Sequence, residues 1–447
     1  MVGFPGKMSQ HLIAKLQKYV IVDPWPFVLD LENCRGIWMQ SIEGDKIFDW
    51  GGFYGAQLLG FNHPALSDKD YLHRLCLAAN NKVANPDFLT TFCLEYYELL
   101  YSLAPECMKN PELEVYAVNS GAEAMENMMK YLINLHDQKM ARKKKTQLYR
   151  RFIYFDQAFH GRTIFALNLT HMDHAPIVTR DFHGLAPNHI KVPFPATNTR
   201  RSPEENRRIT QRSLEILEEC MQKYKDEIIA VIVEPIQGAG GHRIAQIDFF
   251  RQLSDLAHRY DVYIGFDEVQ TAGGQTGTIF AIDQFDLPYP PQAVAVAKKF
   301  GCGAVFMYSH MEDIGILDST WGGSLADMVR VVREFQIIKE EKLIEQVPWK
   351  TRLLLDILCL CEKKYPHLIF NIRGMGLYQG FSVATPQIKT RLQEIALEKE
   401  NLFLLSAGPA TIRLRPALIV SEEEIKLLGE KLLSCLAQLN EEQQGPS

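Results

Sequence analysis

The sequence has no surplus of basic residues. Its 447 residues carry 48 lysines and arginines against 54 aspartates and glutamates, a formal net charge of -6. Proteins that hold nucleic acid or an anionic membrane surface need a basic field that neutralises phosphates. This charge balance argues against both kinds of partner, and we expect small-molecule ligands instead.

Long apolar runs are also missing. The N-terminus, MVGFPGKMSQHLIAKLQKYVIVDPWP, lacks the apolar core and the cleavage site of a signal peptide, and no later segment is apolar over the length that spans a bilayer. With 47% hydrophobic and 23% charged residues, the composition is typical of an ordinary globular protein. We therefore expect a soluble, cytoplasmic protein with no membrane partner.

Cysteines at metal-binding spacing are absent as well. The nine cysteines are scattered, and the one close pair, Cys359 and Cys361, falls in a leucine-rich helical pattern without a second pair at zinc spacing. We predict no metal site and interpret these cysteines as buried free thiols.

The chain is predicted to have three parts. Residues 1–69 include GIWMQSIEGDKIFDW, which favours a β-hairpin with its turn at 43–46. Residues 70–330 alternate apolar runs such as IIAVIVEP and VYIGF with helical patterns, which is typical of an α/β domain with a mostly parallel sheet covered on both faces. Residues 331–447 contain two long helical patterns, a predicted strand around IRGMGLYQGFSV and a last helix that starts at a capping box, 421–424. They form a smaller α+β part.

Polar residues follow the apolar runs, at the end of each strand where parallel sheets bind ligands. In NSGAEA, small residues open a helix after EVYAV and could offer backbone N–H groups to a phosphate. The other positions are DQAFHGRT after RFIYF, EPIQGAGG after IIAVIV, Asp267 and Glu268 after VYIGF, and Lys298 and Lys299 after AVAVA. Capping, packing or solvated charge would explain each one alone, but their coincidence at one sheet edge indicates an active site.

A lysine, a buried acid and a phosphate cradle together suit pyridoxal phosphate. The lysine amine would form a Schiff base with the cofactor aldehyde. Asp267 would keep the pyridine nitrogen protonated, which makes the ring an electron sink. Further contacts to the ring are expected from Phe159 or His160 on one face and from Gln270 at the ring hydroxyl.

As a set, these motifs resemble the class III, or ω-amino acid, aminotransferases, which are fold-type I pyridoxal phosphate enzymes. NSGAEA, FHGRT, EPIQGAGG, FDEVQTAGGQTG, STWGGSLADMVR and IRLRPAL stand in the family's order between about residues 36 and 420. AFHGR, AKK, STWGG and RLRPAL are most similar to the lysine 6-aminotransferase subgroup.

The resemblance implies a large domain with a mostly parallel seven-stranded sheet, and a homodimer whose active sites are shared between subunits. It also implies transfer of the terminal amine of L-lysine to 2-oxoglutarate, which would give 2-aminoadipate 6-semialdehyde and glutamate.

The same resemblance assigns roles to positions of this chain. Lys298 matches the Schiff-base lysine, with Lys299 as the alternative, and Asp267 matches the partner of the pyridinium nitrogen. The other expected cofactor contacts are Ser120, Gly121 and Ala122 at the phosphate, Phe159 and His160 at the ring face, Gln270 at the ring hydroxyl, and Thr320 at the phosphate of the neighbouring subunit. The expected substrate contacts are Arg162 for a carboxylate far from the reacting amine, Arg413 for a carboxylate beside it, and Glu234 as a supporting acid.

The sequence departs from the family pattern in two loops. Members that alternate between ω-amines and 2-oxoglutarate usually carry EPIQGEGG or EPIQSEGG, whose second glutamate pairs with the near arginine, but this chain has Ala239 there. Either another acid pairs with Arg413 or lysine is a poor donor, because an unpaired buried charge is costly. Gly273 and Gln275 replace bulkier and basic residues in DEVQTAGGQTG.

Other functions stay open at this stage. Ornithine, 4-aminobutyrate or a diamine could replace lysine as donor, and an aminomutase is a further alternative within the family. A nicotinamide-dependent dehydrogenase would need a GxGxxG between a strand and a helix, and this motif is lacking. Ala239 favours a non-catalytic family member, whereas Lys298, Asp267 and Arg413 argue against it.

Overall fold

Strands and helices alternate along most of the chain. The computed structural model describes residues 4–146, 149–182, 185, 188–313 and 315–444. The strands are β1 Trp38–Gln40, β2 Lys46–Asp49, β3 Glu114–Val118, β4 Arg151–Phe155, β5 Ile190–Val192, β6 Ile228–Val233, β7 Ile236–Gln237, β8 Arg243–Ile244, β9 Tyr263–Asp267, β10 Ala293–Val296, β11 Gly303–Met307, β12 Ile369–Met375, β13 Tyr378–Val383, β14 Leu402–Phe403, β15 Leu405–Ala407 and β16 Thr411–Leu414.

The longer helices connect these strands or pack on them. Their bounds are Lys7–Leu16, Lys69–Asn80, Thr91–Leu103, Gly121–Arg142, Pro203–Tyr224, Ile247–Arg259, Leu325–Glu340, Val347–Lys364, Pro386–Glu400 and Glu422–Gln444. Among the described residues, no helix has both the length and the apolar character needed to cross a membrane.

The central sheet has seven strands in the order β3-β11-β10-β9-β6-β4-β5. Within it β11 runs antiparallel to both of its neighbours, and the other pairs are parallel. Every residue of β6, β10 and β11 is buried, which explains why these strands read as unbroken apolar runs. The mostly parallel seven-stranded α/β fold expected from the resemblance is confirmed.

Helices cover both faces of this sheet. On one face, helix Gly121–Arg142 buries side chains such as Met128 and Leu132 in one apolar cluster. On the other face, helix Ile247–Arg259 contributes Phe249 to a second cluster. Each such fully buried side chain contributes about 1.5–3 kcal/mol to stability. The two layers hold the strands rigidly in register.

The register of the sheet brings three chemically important positions to one edge. Val233 pairs with Phe266, and Ala295 pairs with Asp267, in parallel strands. The residues at or just beyond these strand ends, Glu234, Asp267 and Lys298, therefore converge at the carboxyl edge.

The predicted hairpin near the N-terminus is confirmed. Strands β1 and β2 pair in antiparallel fashion, with Trp38 opposite Phe48. The sequence did not predict that β14, Leu402–Phe403, joins this hairpin as a third strand parallel to β2. One small sheet thus combines strands from the N-terminal and C-terminal parts of the chain. The domain boundaries at residues 69 and 330 stay predictions, and helix Leu325–Glu340 spans the second of them.

The single strand predicted around IRGMGLYQGFSV is wrong. Ile369–Met375 and Tyr378–Val383 are two antiparallel strands of a four-stranded sheet, ordered β12-β13-β16-β15. The chain reverses at Gly376, whose φ is +58° and where a Cβ would lie 2.3 Å from the carbonyl oxygen of Gln275. Only glycine fits a left-handed position with so close a contact.

The capping box at the last helix is confirmed. The backbone N–H of Glu424 donates to Oγ of Ser421 at 3.1 Å, and the backbone N–H of Ser421 donates to Oε2 of Glu424 at 2.9 Å. Helix Pro386–Glu400, which follows β13, was not predicted from the sequence.

All nine cysteines are free thiols. Five of them are buried as expected, including Cys361, and Cys107 and Cys220 are half-buried. The prediction is wrong for Cys76 and Cys359, which are exposed. Cys359 and Cys361 stand two positions apart on helix Val347–Lys364 and therefore face different sides of it.

Candidate active site

A cavity of about 320 Å³ lies at the carboxyl edge of the central sheet. Its lining residues are Gly121, Ala122, Phe159, His160, Gly161, Arg162, Glu234, Ala239, Asp267, Val269, Gln270, Ala297 and Lys298. This volume lies in the range of small-molecule sites. Of the site residues predicted from sequence, all except Ser120, Thr320 and Arg413 line the cavity.

One end of the cavity is the start of helix Gly121–Arg142. Oγ of Ser120 accepts a hydrogen bond from the backbone N–H of Glu123 at 3.2 Å, so this side chain caps the helix instead of lining the cavity. A Cβ on Gly121 would lie 2.8 Å from Cγ1 of Val269, so a larger residue would not fit here. The free N–H groups and the dipole of the first helical turn favour an anion at this end.

Asp267 is held rigidly in the cavity wall. Its side chain is 6% exposed, and Oδ2 lies 2.8 Å from Nδ1 of His160. Its other oxygen, Oδ1, accepts from the backbone N–H of Val269 at 3.0 Å. His160 therefore orients the carboxylate, a role that the sequence did not predict for it.

Glu234 is a second acid beside Asp267. Its Oε1 accepts from the backbone N–H of Phe159 at 3.0 Å. Burial and the nearby negative charge of Asp267 raise the pKa of Glu234 well above its usual value. Two close buried carboxylates cannot both be charged cheaply, so Glu234 is harder to ionise than an ordinary glutamate.

Glu268 lies outside the cavity although it is adjacent to Asp267 in sequence. Its Oε1 accepts from the backbone N–H of Ile282 at 2.9 Å, and Oε2 bonds the hydroxyl of Thr271. Burial raises the pKa of Glu268 to about 7. Successive residues at the end of a strand point to opposite faces, so only the first acid of this pair reaches the ligand space.

The structure distinguishes the two candidate lysines. Nζ of Lys298 lies in the cavity wall and donates to the carbonyl oxygen of Tyr54 at 3.2 Å. Burial, followed by the charges of Arg415 and Arg413, lowers the pKa of Lys298 to about 7. The side chain of Lys299 is packed away from the lining, 1% exposed, with Nζ donating to the carbonyl of Gln270 at 2.7 Å. These positions favour Lys298 as the reactive amine.

Two predicted arginines occupy different environments. Arg162 is exposed at the cavity, with its guanidinium carbon 5.8 Å from the centre of the Phe159 ring. Arg413 on β16 is 6% exposed, and its Nη1 donates to the carbonyl of Gly238 at 3.1 Å. Burial and the charge of Arg415 lower the pKa of Arg413 well below its usual value, and no carboxylate is among the groups acting on it in the described part of the chain. This guanidinium is therefore short of a counter-anion.

The loop that carries Ala239 is held firmly. Arg373 donates through Nε to the carbonyl of His242 at 2.8 Å and through Nη2 to the carbonyl of Gly241 at 2.5 Å. Ala239 itself lines the cavity and contributes only a methyl group. The position where the family usually has a glutamate is thus fixed but uncharged.

A strained turn near the N-terminus also reaches the site. Gly52, Phe53, Tyr54 and Gly55 all have positive φ, between 49° and 79°. This turn directs the carbonyl of Tyr54 towards both Lys298 and Arg415. These contacts were not predicted from the sequence, in which the glycines of GGFYG were the only signal for them.

Thr320 lies on the surface and outside the cavity. Its expected contact with the phosphate of a neighbouring subunit remains a prediction.

Comparisons with known proteins agree with this geometry. The family described as aminotransferase class-III matches residues 21–436. The L-lysine-epsilon aminotransferase of Amycolatopsis lactamdurans is 29% identical over 97% of both chains, and the mitochondrial 4-aminobutyrate aminotransferase of Rattus norvegicus is 27% identical over 95% of this chain and 87% of its own. The solved lysine aminotransferase of Mycobacterium tuberculosis, in its internal aldimine form, superposes with a TM-score of 0.90 at 28% identity, over 96% of this chain and 99% of that one.

The family match covers nearly all of the described chain, and the cavity holds a lysine, an acid and a helix start at the positions such chemistry needs. This chain belongs to the class-III aminotransferases, pyridoxal phosphate enzymes that transfer an amino group from a small-molecule donor to a 2-oxo acid.

Proposed function

We propose that this chain transfers the ε-amine of L-lysine to 2-oxoglutarate, giving 2-aminoadipate 6-semialdehyde and glutamate. The observation that supports this type of reaction is that Lys298 and the buried Asp267 line the same cavity, and that the pKa of Lys298 is lowered to about 7. Support for lysine as the donor comes from the likeness to lysine-epsilon aminotransferases over almost the whole chain.

The residues of the cavity fit pyridoxal phosphate. The helix start at Gly121 and Ala122 suits the phosphate, and Asp267 suits the ring nitrogen. Oε1 of Gln270 is buried without a hydrogen-bond partner among the described residues, so this side chain is available to the ring hydroxyl. When bound, the cofactor supplies an aldehyde that condenses with primary amines and a ring that draws electrons from the carbon next to the nitrogen.

Lys298 is suited to move a proton. With its pKa near 7, the amine of Lys298 is largely neutral above that pH and can accept a proton from a substrate carbon. The same amine, once protonated, can return the proton to a neighbouring atom. The ring of His160 and a backbone N–H fix the two oxygens of Asp267, so this carboxyl group keeps its orientation in the cavity.

The two arginines would sort the substrates by their carboxylates. A guanidinium holds a carboxylate through paired hydrogen bonds. Arg162 would grip the α-carboxylate of lysine, which lies far from the reacting ε-amine, and 2-oxoglutarate would in addition bring a carboxylate to Arg413. Glu234 would support the site through its bond to the backbone of Phe159.

An amine panel tests this function. The protein loaded with pyridoxal phosphate is mixed with lysine, ornithine, 4-aminobutyrate or a diamine, and loss of cofactor absorbance is followed in a single turnover. We expect the fastest loss with lysine. If lysine causes no loss while another amine does, the donor assignment is wrong. If no amine does, the chain is a non-catalytic member of its family.

The role of Lys298 has its own test. Borohydride reduction should fix the cofactor to Lys298, as read by mass spectrometry, and Lys298→Ala should abolish transamination. An adduct on Lys299 would instead identify the alternative lysine.

A homodimer with shared active sites is part of the same proposal. Exposed apolar side chains cluster beside Thr320: Trp321 is 38% exposed, Phe88 68% and Leu89 72%. Nδ2 of Asn85 donates to the carbonyl of Trp321 at 2.8 Å, which joins the two segments into one surface. Such a patch marks an interaction site, and a second copy of this chain would bring Thr320 to the neighbouring cavity. We also place the enzyme in the cytoplasm, where free thiols stay reduced.

A further inference from the structure

Half-buried Lys298 and buried Arg415 share one backbone acceptor in this site. Nζ of Lys298 lies 3.2 Å from the carbonyl oxygen of Tyr54, and Nη1 of Arg415 lies 3.3 Å from the same oxygen. The two nitrogens are therefore within two hydrogen-bond lengths of each other. Arg415 is 1% exposed, so water screens its charge little.

Arg415 is poorly compensated for a buried arginine. Its Nε and Nη2 have no hydrogen-bond partner among the described residues. The ring of Tyr378 lies 4.7 Å from its guanidinium carbon, and burial lowers the pKa of Arg415 below its usual value. A buried cation without an anion is costly. Its position beside Lys298 calls for a functional reason.

The chain around Arg415 is built to fix its position. Its backbone N–H donates to the carbonyl of Trp50 at 2.9 Å. A Cβ on Gly52 would lie 1.9 Å from the carbonyl oxygen of Arg415, and a Cβ on Gly238 would lie 2.9 Å from its Nη2. Both glycines allow a close approach that a larger residue would block.

Resting on the proposed role of Lys298, we infer that Arg415 is a positioning residue: acting through the shared carbonyl of Tyr54, it holds the free amine of Lys298 at the cavity wall and disfavours a second positive charge there. The consequence is an amine that is ready to take a proton when the cofactor no longer occupies it. Arg413, on β16 two residues before Arg415, donates to the carbonyl of Gly238, so it exerts its charge without sharing this acceptor.

The charged and titratable groups that face Lys298 act in both directions. Burial lowers the pKa of Lys298 most, Arg415 and Arg413 lower it further, and the two acids of the cavity raise it. Among the described residues, the charged and titratable groups near Lys298 include Arg415, Arg413, Asp267, Glu234, Lys299, Tyr54 and Tyr378. Among them, Arg415 is the cation that meets Lys298 at a common oxygen.

The test reads the charge of Lys298 without measuring turnover. The full chain is reconstituted with pyridoxamine phosphate, which leaves the amine of Lys298 free, and is pulsed with acetic anhydride at a series of pH values. Acetylation of Lys298 is quantified by mass spectrometry against exposed Lys46. Only the neutral amine reacts, so the midpoint of labelling follows protonation, and we expect it near pH 7 in the natural protein.

Variants of Arg415 and Arg413 distinguish the effect of sharing the carbonyl of Tyr54 from the effect of a nearby positive charge alone. In Arg415→Met the midpoint should rise by about one pH unit, because protonation of Lys298 no longer opposes a nearby cation. Arg415→Lys should stay closer to the natural protein, and Arg413→Met should shift the midpoint less than Arg415→Met. If Arg415→Met does not fold, Arg415→Gln removes the charge but keeps a donor and is tested in the same way.

An unchanged midpoint in Arg415→Met, or an equal or larger shift in Arg413→Met, would overturn the inference. A failure of the proposed function would appear separately, as the absence of a borohydride-fixed adduct on Lys298 in the protein loaded with pyridoxal phosphate.

Discussion

At the scale of single residues, neighbouring carboxylates have different tasks because their surroundings differ. Asp267 faces the cavity and is fixed by His160, whereas Glu268 faces away and bonds the backbone of Ile282. Glu234 lines the same cavity, but burial and Asp267 raise its pKa well above the usual value. The two acids of the cavity therefore differ in how readily they ionise.

Ala239 is the residue with the sharpest consequence for substrate choice. No carboxylate acts on Arg413 in the described part of the chain. In Ala239→Glu, the new acid would pair with Arg413 while lysine is bound, so turnover with lysine should rise relative to glutamate. A change on the order of tenfold corresponds to about 1.4 kcal/mol of transition-state stabilisation. The measurement is kcat/KM for both donors.

Ala239→Gln is the control, since glutamine has nearly the size of glutamate but no charge. It should leave the ratio of lysine to glutamate turnover close to that of the natural protein. An unchanged ratio in Ala239→Glu would mean that another acid already pairs with Arg413 during catalysis.

At the scale of elements, the short turn Gly52–Gly55 supplies the backbone carbonyl that accepts hydrogen bonds from both Lys298 and Arg415. Four consecutive residues with positive φ are strained for L-amino acids other than glycine, and Phe53 and Tyr54 both adopt this conformation. Oδ1 of Asp49 accepts the backbone N–H of Gly52 at 3.0 Å and helps to hold the turn. The strain is maintained at the point where the turn offers a carbonyl to Lys298.

Gly52→Ala tests the close packing of this turn. Its φ is +56°, and the added Cβ would meet the carbonyl oxygen of Arg415 at 1.9 Å. We expect a loss of several kcal/mol in the free energy of unfolding, since both backbone strain and a backbone clash contribute, roughly 1–2 kcal/mol coming from the strain. Chemical denaturation would measure it.

Gly44→Ala is the matched control. Gly44 has φ +93°, but nothing lies within 4 Å of its added Cβ. This variant should show the strain cost alone, about 1–2 kcal/mol. Equal losses in the two variants would show that the contact with Arg415 does not constrain the turn.

At the scale of the whole molecule, the site is assembled from distant parts of the chain. Lys298 and Asp267 come from the central sheet, Tyr54 from the N-terminal region, and Arg413 and Arg415 from the four-stranded sheet and the residues just beyond it. Pairing of β14 with β2 joins both ends of the chain in one sheet. Closure of the site therefore depends on the correct packing of all three sheets.

The surface formed by Trp321, Phe88 and Leu89 is the proposed dimer interface. Trp321→Glu should convert the dimer to monomers, because a charge would be buried at the interface, and sedimentation velocity would measure the change. Leu360→Glu is the control, since Leu360 is also exposed, at 52%, but lies on helix Val347–Lys364. A dimer that survives Trp321→Glu, or a monomer in the natural protein, would contradict this surface as the interface.

The sequence alone determined the sheet and the chemical character of its edge. Apolar runs specify buried parallel strands through burial on both faces, and such local patterns can be recognised without knowledge of distant contacts. The polar residues that end these runs follow directly, which is why Asp267, Lys298 and the helix start at Gly121 were predicted.

Only the tertiary structure decided which groups meet across the chain. The bond between His160 and Asp267, the effect of Asp267 on the pKa of Glu234, and the carbonyl of Tyr54 shared by Lys298 and Arg415 all involve residues far apart in sequence. No periodicity in the sequence predicts these contacts, because they form when separate elements pack together. The burial that results from this packing shifts the pKa of Glu234 and of Lys298 away from the ordinary values of their residue types.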